Sequence, residues 1–398
     1  LPIKLGGFGL GDIHETTCAA FTANTMETAA AVTSVIPSSI NYFRIFGIHS
    51  PLPADFELIP AHVNIEFIQP TKHFMNKIDS AAALEGVQAV EEAADMIHEG
   101  TKNNYQIQKF FTKFMETERL VDLIDTFKEK RTPVDSARLL SCLGGNSGAW
   151  LNCIPKDSAS MLDNESFKFV CALRLGLVIK NSTRYCSLCN QHIDNIGIHP
   201  FSCIHQRART LEKHNMLVQE YKRLAQLAGA PAKDHHLGVF ASLNSGIKPD
   251  LLIRHLGSGG NDLLIDFCIC DPRGTSYVSH SAVKMGYARN KNESKKNNKY
   301  RRLSNQLGYS FLGASVEIFG SMTEKLQDLI KALVQRAAER SMIPYSTLLG
   351  YWNKRLSMTI QRGNAKLWLD SSVRMTGSNV LHDASLQSET HHIRTITA

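Results

Sequence analysis

Long apolar runs are missing from this sequence. No window approaches the roughly 18 consecutive apolar residues that cross a bilayer, so neither a membrane span nor a membrane partner is expected. No basic segment followed by an apolar core marks a secretory leader. No internal repeat and no long low-complexity tract is present, which argues against a solenoid or a disordered tail as the main body. A strong charge of one sign is missing too. Lys and Arg number 44 against 37 Asp and Glu, a formal charge of +7, so the basic excess matters only where it clusters. The chain opens at Leu1 without an initiator Met, as expected for a fragment or a processed piece. Nine cysteines, an odd number spread over a long chain, do not form a disulfide framework. A reduced intracellular setting, with some cysteines on a metal, is the expectation.

What is present describes a folded chain. Hydrophobic residues make up 43% and charged residues 20% of 398, enough for two or three domains. Residues 1–178 read as a helical region without a catalytic constellation. Asp12 is a candidate N-cap for "GDIHETTCAAFTANTMETAAAV", and Ser80 and Gly100 bracket a second helix. Ile107, Phe110, Phe111, Phe114, Leu120, Leu123 and Ile124 recur at helical spacing. "DSARLLSCL" and "ESFKFVCALRLGL" predict two shorter helices.

Residues 179–215 change character. Cys186-x2-Cys189 is followed, after nine residues, by His199-x3-Cys203. A Cys-x-x-Cys turn sets two thiolates on one side of a knuckle, and a helix starting near Pro200 would add His199 and Cys203. Three Cys and one His make a tetrahedral set suited to a closed, structural zinc site. His192 and His205 are alternative histidines. The helix after it, ending at Gly229, carries Arg207, Arg209, Lys213, Lys222 and Arg223, which suit either a phosphate backbone or a solvated face.

Residues 236–240, "DLLIR" at 250–254 and "DLLIDFCIC" at 262–270 read as strands, the last two joined by "HLGSGGN". Period two puts Leu264, Asp266 and Cys268 on one face. A carboxylate there needs a partner, because burying it alone costs several kcal/mol. Asp250, at the start of the neighbouring strand, is positioned to share a divalent cation with it, and hard oxygen ligands favour magnesium. The other reading is a structural pair between Asp266 and a helix lysine. From Lys284 to Arg302 there are eight Lys or Arg and one acid, Glu293, which suits a polyanion. A strand at 310–320 and an amphipathic helix at 323–341 follow. Helix, strand, strand, helix, strand, helix is an α/β module with a small mixed sheet. A last helix is expected around Trp352 and Trp368, and the polar stretch from Met375 onward is expected to fray.

The order of motifs resembles that of a known family. "KPD" at 248–250, then Asp266, then "KKNNKY" and "VEIFG", resemble the restriction-like endonuclease of site-specific non-LTR retrotransposons, within the PD-(D/E)xK superfamily. The CCHC knuckle upstream, "LPIKLGGFGL" at the start and "GAWLNCIP" in the helical region are similar to parts of the same polyproteins. The resemblance runs from Leu1 to about Arg340. It implies an α+β chain with a helical post-polymerase linker (1–178), a zinc knuckle (179–215), a nuclease domain (216–342) and a C-terminal helix with a tail (343–398). It implies a magnesium pair, Asp250 and Asp266, and a catalytic lysine, Lys296 or Lys299. The superfamily's usual lysine, two residues after the second acid, is Cys268 here. Glu220 is a candidate third acid. Lys248, Lys213, His214, Lys295, Arg301 and Arg302 are implied nucleic-acid contacts, with Lys213-His214-Asn215 a partial match to the family's RHN element. Implied partners are target DNA, element RNA and a linked reverse transcriptase, in the nucleus. No Y-x-D-D polymerase motif occurs in the chain.

Overall fold

The computed structural model describes Gly7 and residues 104–130, 132–179, 185–186, 188–234 and 238–373. The helices expected after Asp12 and Ser80, and the tail from Met375, lie outside the described residues. Chain contacts divide into two units, Leu1–Ser136 and Ala137–Ala398. In the first, helix α1 spans Asn104–Glu129, over the residues whose apolar spacing predicts it. Helix α2, Pro133–Cys142, begins just before the boundary. Everything below concerns the second unit.

Helix α3, Asn164–Leu175, is bounded by chemistry visible in the sequence. The Asp163 side chain accepts from the Ser166 amide at 2.8 Å, and Gly176 ends the helix in the left-handed region at φ 70°. A short helix α4, His199–Ser202, belongs to the Cys/His segment. Helix α5 spans Arg207–Leu227.

Four strands follow. They are β1 Ala232–Asp234, β2 Leu251–Ile253, β3 Leu263–Cys270 and β4 Ser310–Glu317, in spatial order β1-β2-β3-β4. The edge strand is not where the sequence puts it. Residues 238–240 form a turn, and the three residues of β1 take the edge instead. "HLGVF" has strand-like composition, but Phe240 is buried as an anchor beneath Tyr300, a use for an apolar residue that needs no strand. Pairs β1/β2 and β2/β3 are antiparallel, with Leu251 opposite Ile265. Pair β3/β4 is parallel, with Asp266 opposite Gly313. A parallel pair needs a long crossover. Helices α6, Val278–Ser281, and α7, Tyr287–Gln306, supply it.

Both sheet faces are covered, which is why the β3 sequence is nearly continuous in apolar residues rather than alternating with polar ones. Leu263, Ile265 and Phe267 face α5, α8 (Glu324–Ser341) and α9 (Tyr345–Val373). Leu326, Ile330, Leu333, Val334 and Ala337 form the buried stripe of α8. Each large apolar side chain so buried contributes about 1.5–3 kcal/mol. On the opposite face Leu264 packs with Leu252, Phe240 and Tyr300 beneath α7. Asp266 shares that face by strand period. The architecture is therefore mixed helix and sheet around one small four-stranded sheet. No described helix is long and apolar enough to cross a membrane.

Candidate metal centres and nucleic-acid interface

Among the described residues, one Cys/His cluster could hold a metal ion, and a separate corner brings the acids Asp250 and Asp266 together with Lys296. The first gathers Cys186, Cys189, His199 and Cys203, whose ligand atoms all lie within 4.8 Å of one another. The Cys186 and Cys203 sulfurs are 4.0 Å apart, and Cys189 Sγ is 3.4 Å from His199 Nε2. Local backbone makes this arrangement. The Cys186 amide donates to the Gln191 carbonyl and the Asn190 amide to the Cys186 carbonyl, both at 2.8 Å, with Asn190 at φ 56° closing the turn. Asp194 accepts from the amides of Ile196, Ile198 and His199, at 3.1, 2.8 and 2.6 Å, and so fixes the start of α4.

Burial raises the Cys186 thiol, but hydrogen bonding from His199 and from the Leu188 and Cys189 amides outweighs it, to about 7. Cys203 is pushed up to about 11, by burial and then by its sulfur neighbours. Four crowded donors of this kind fit a cation that would relieve their repulsion, and three thiols with an imidazole suit a metal such as zinc. His192, one of the two spare histidines, packs edge-on against Tyr185. Buried Arg273, just beyond β3, donates to the carbonyls of Ile196 and Gly197 at 2.8 and 3.0 Å while paired to Asp271. This residue, which the sequence did not single out, fastens the knuckle to the sheet.

The second cluster is built by the sheet. The Asp250 amide donates to the Ile265 carbonyl at 2.9 Å, one residue before β2, which brings Asp250 beside the Asp266–Phe267 stretch. Its Oδ2 accepts from the Phe267 amide at 2.6 Å and lies 3.0 Å from His214 Nε2. Burial raises the Asp250 carboxyl, but the His214 hydrogen bond and charge and the Phe267 amide outweigh it and hold it below the usual carboxylate range. Asp266 moves the opposite way. Burial, and then the negative charge of Asp250, push it up against the pull of Lys296 and Tyr300. The two carboxylates therefore sense each other.

Lys296 pairs directly with Asp266 Oδ2. Burial opposes its charge, but Asp266 more than compensates and holds the ammonium above its ordinary value. Gly313 makes this contact possible. A Cβ there would come within 2.8 Å of Lys296 Cβ and 2.9 Å of the Glu293 carbonyl, so only glycine lets α7 lie this close to β4 opposite Asp266. The Tyr300 hydroxyl, 3.0 Å from both Asp266 Oδ1 and the Lys248 carbonyl, completes the corner. Burial and the Asp266 charge keep that phenol protonated, as a donor. Tyr300 was visible in the sequence, four residues after Lys296 and so on the same helical face.

The remaining implied residues separate by position. Lys299 does not reach the acids; its ammonium lies 5.0 Å from the Tyr300 ring centroid. Lys248, Lys295, Arg301 and Arg302 are exposed. Lys213 is not a surface contact. It is 5% exposed, donates to Asn364 Oδ1 at 3.0 Å, and burial lowers it to about 8. His214, one residue on, turns inward to Asp250 rather than outward to solvent. Glu220 is no third acid of this corner, because both its oxygens are held by Arg355, at 2.5 and 3.1 Å, and one also by Arg223. A helix position cannot reveal that a long-range arginine claims it. Cys268 lies on the Asp266 face with its thiol raised by burial, in keeping with a site whose amine comes from α7.

Compared with known proteins, the chain matches no protein-family model, and no curated protein matches its sequence significantly.

Proposed function

We propose that this chain contains a metal-dependent DNA endonuclease, the restriction-like nuclease part of a non-LTR retroelement protein. It would nick target DNA in the nucleus and leave a 3′ end from which a linked reverse transcriptase primes on element RNA. The convergence of Asp250, Asp266 and Lys296 in one half-buried corner is the observation that supports this reading. The residues fit a hard cation. Two carboxylates repel each other there, and the contacts from His214 and the Phe267 amide both fall on Oδ2 of Asp250, which leaves its other oxygen for a cation on this reading. Magnesium held by Asp250 and Asp266 would supply an acidified water and offset charge on the phosphorus.

The chain's own groups do the rest. His214 and the Phe267 amide orient Asp250, and Tyr300 orients Asp266. Lys296 presents its ammonium where charge builds on the phosphate oxygens. Exposed Lys248, Lys295, Lys299, Arg301 and Arg302 offer cations to the DNA backbone.

A second reading follows from one contact. Lys296 already neutralises Asp266, so the acids could be structural and the chain a nucleic-acid-binding module built from knuckle and basic helix. Nicking of supercoiled plasmid by pure protein with magnesium separates the two. Nuclease chemistry predicts nicking that Asp250→Ala with Asp266→Ala abolishes while salt-sensitive DNA binding persists. A double variant that nicks like the wild type refutes the catalytic assignment. Binding with no nicking by the wild type supports the second reading.

A further inference from the structure

The corner between β3 and α7 carries a surface that the acid pair does not use. From Pro272 to Asn292 the chain has no Asp or Glu, while Lys284 and Lys291 add positive charge. The rings of His280 and Tyr287 stack in parallel, with centroids 4.6 Å apart and planes 11° apart. The Lys291 ammonium lies 5.4 Å from the Tyr287 ring centroid and 5.6 Å from that of Tyr277. His280 and Lys284 are exposed, and so are two large apolar side chains beside them, Val283 at 77% and Met285 at 47%. The two arginines of this stretch are buried in structural bonds, Arg273 on the knuckle carbonyls and Arg289 on Ser321 and Met322. The exposed group is therefore aromatic, apolar and cationic, without a carboxylate.

That combination selects its occupant. An apolar protein face would leave the lysines without counter-charges, and an acidic peptide would leave the stacked rings without a planar partner. A nucleic-acid strand meets both needs, with phosphates for the lysines and base faces for the rings. The strand must be unpaired, because paired bases keep their faces inside their own stack. Position agrees. Tyr287 opens α7 and Lys296 lies nine residues further, about 14 Å along the axis, or roughly four nucleotide steps of about 3.4 Å.

We propose that the corner formed by His280, Val283, Met285 and Tyr287 is a stacking platform for an unpaired nucleic-acid strand. Its phosphates lie against Lys284 and Lys291. The inference does not rest on the metal reading and can hold if nicking fails.

Fluorescence anisotropy tests it in magnesium-free buffer, with a short labelled single strand of mixed sequence and the matching duplex. His280→Ala with Met285→Ser removes only exposed side chains. Single-strand affinity should fall about tenfold and duplex affinity by less than about twofold. His280→Trp, which offers a wider ring, should retain or tighten single-strand binding. The platform is refuted if the double variant binds the single strand like the wild type, if duplex affinity falls equally, or if His280→Trp loses as much as alanine. It is refuted too if the wild type prefers duplex over single strand. A thermal melt unchanged from wild type confirms that both variants fold.

Discussion

The Cys/His knuckle and the acid corner both crowd titratable groups, and they are assembled in opposite ways. The knuckle collects four donors from eighteen consecutive residues, 186–203, by short turns and one helix start. The acid corner draws Asp250, Asp266, Lys296 and Tyr300 from two strands and a crossover helix, and His214 from a helix across the sheet. Soft thiolates and an imidazole make the first a closed set for a metal such as zinc. The second offers hard oxygens already engaged by cationic and hydroxyl partners. A site encoded locally tolerates changes elsewhere in the fold. One encoded by strand register and helix packing is lost when either shifts, and Gly313 shows how little room that packing leaves.

The largest expected effect is at the acid corner. If the chain is the nuclease proposed above, nicking by the Asp250→Ala, Asp266→Ala double variant should fall by about a thousandfold or more, the scale of losing the groups that position charge in a transition state. Removing metal from the knuckle should act on stability instead. Chelation, or Cys186→Ser, should lower the melting temperature by roughly 10 °C, since structural zinc contributes folding energy and each kcal/mol is worth about 2–4 °C in a domain of this size. A melting curve indifferent to chelator, with no metal in the purified protein, would remove one side of the comparison.

His214→Ala should loosen Asp250 without removing it. Half-saturating magnesium should rise by about tenfold, with His214→Gln intermediate because its amide can still donate. The same contact sets a pH window. Asp250 is held below its ordinary value, so its contribution is present above that value and is lost as the pH falls through the lowered one. In His214, burial lowers the ring but the Asp250 bond and charge raise it further, so its contribution is full below about 6.5 and is lost as the pH rises through the raised value. The stability gap between wild type and His214→Ala should therefore be widest near pH 5.5 and shrink as the pH rises through the raised His214 value. A gap independent of pH would show that the imidazolium does not hold Asp250.

Two smaller effects sharpen the contrast between the proposed catalytic acids and a structural one. Glu220→Gln should leave nicking within about twofold and lower the melting temperature by roughly 5 °C, because it weakens the bonds to Arg355 and Arg223. A lost activity with unchanged stability would restore Glu220 to the proposed metal site. Asp266→Asn should raise the metal-free melting temperature at neutral pH, on the order of 1–2 °C, while abolishing nicking. Burial and Asp250 disfavour its charge, so folding prefers the neutral group. A fall would mean that the pair with Lys296 outweighs that repulsion.

The sequence alone determined the features carried by short-range geometry. The knuckle ligands, the helices from α1 to α3, the two-sided apolar character of β3 and the Asp266 face follow from spacing, caps and strand period, which act over a few residues. The sheet edge was misplaced because "HLGVF" and "AKD" compete with similar local preferences, and pairing with β2 decides between them. The tertiary structure alone decided which charged groups meet. It chose Lys296 over Lys299, buried Lys213 against Asn364, turned His214 to Asp250 and tied Glu220 to Arg355. Each of those outcomes depends on a partner from 30 to 151 residues away, as in the pairs Lys296–Asp266, His214–Asp250, Glu220–Arg355 and Lys213–Asn364, which only packing brings within reach. Local preference ranks conformations of a segment, but electrostatic pairing depends on distance in space, which the chain acquires only when it folds.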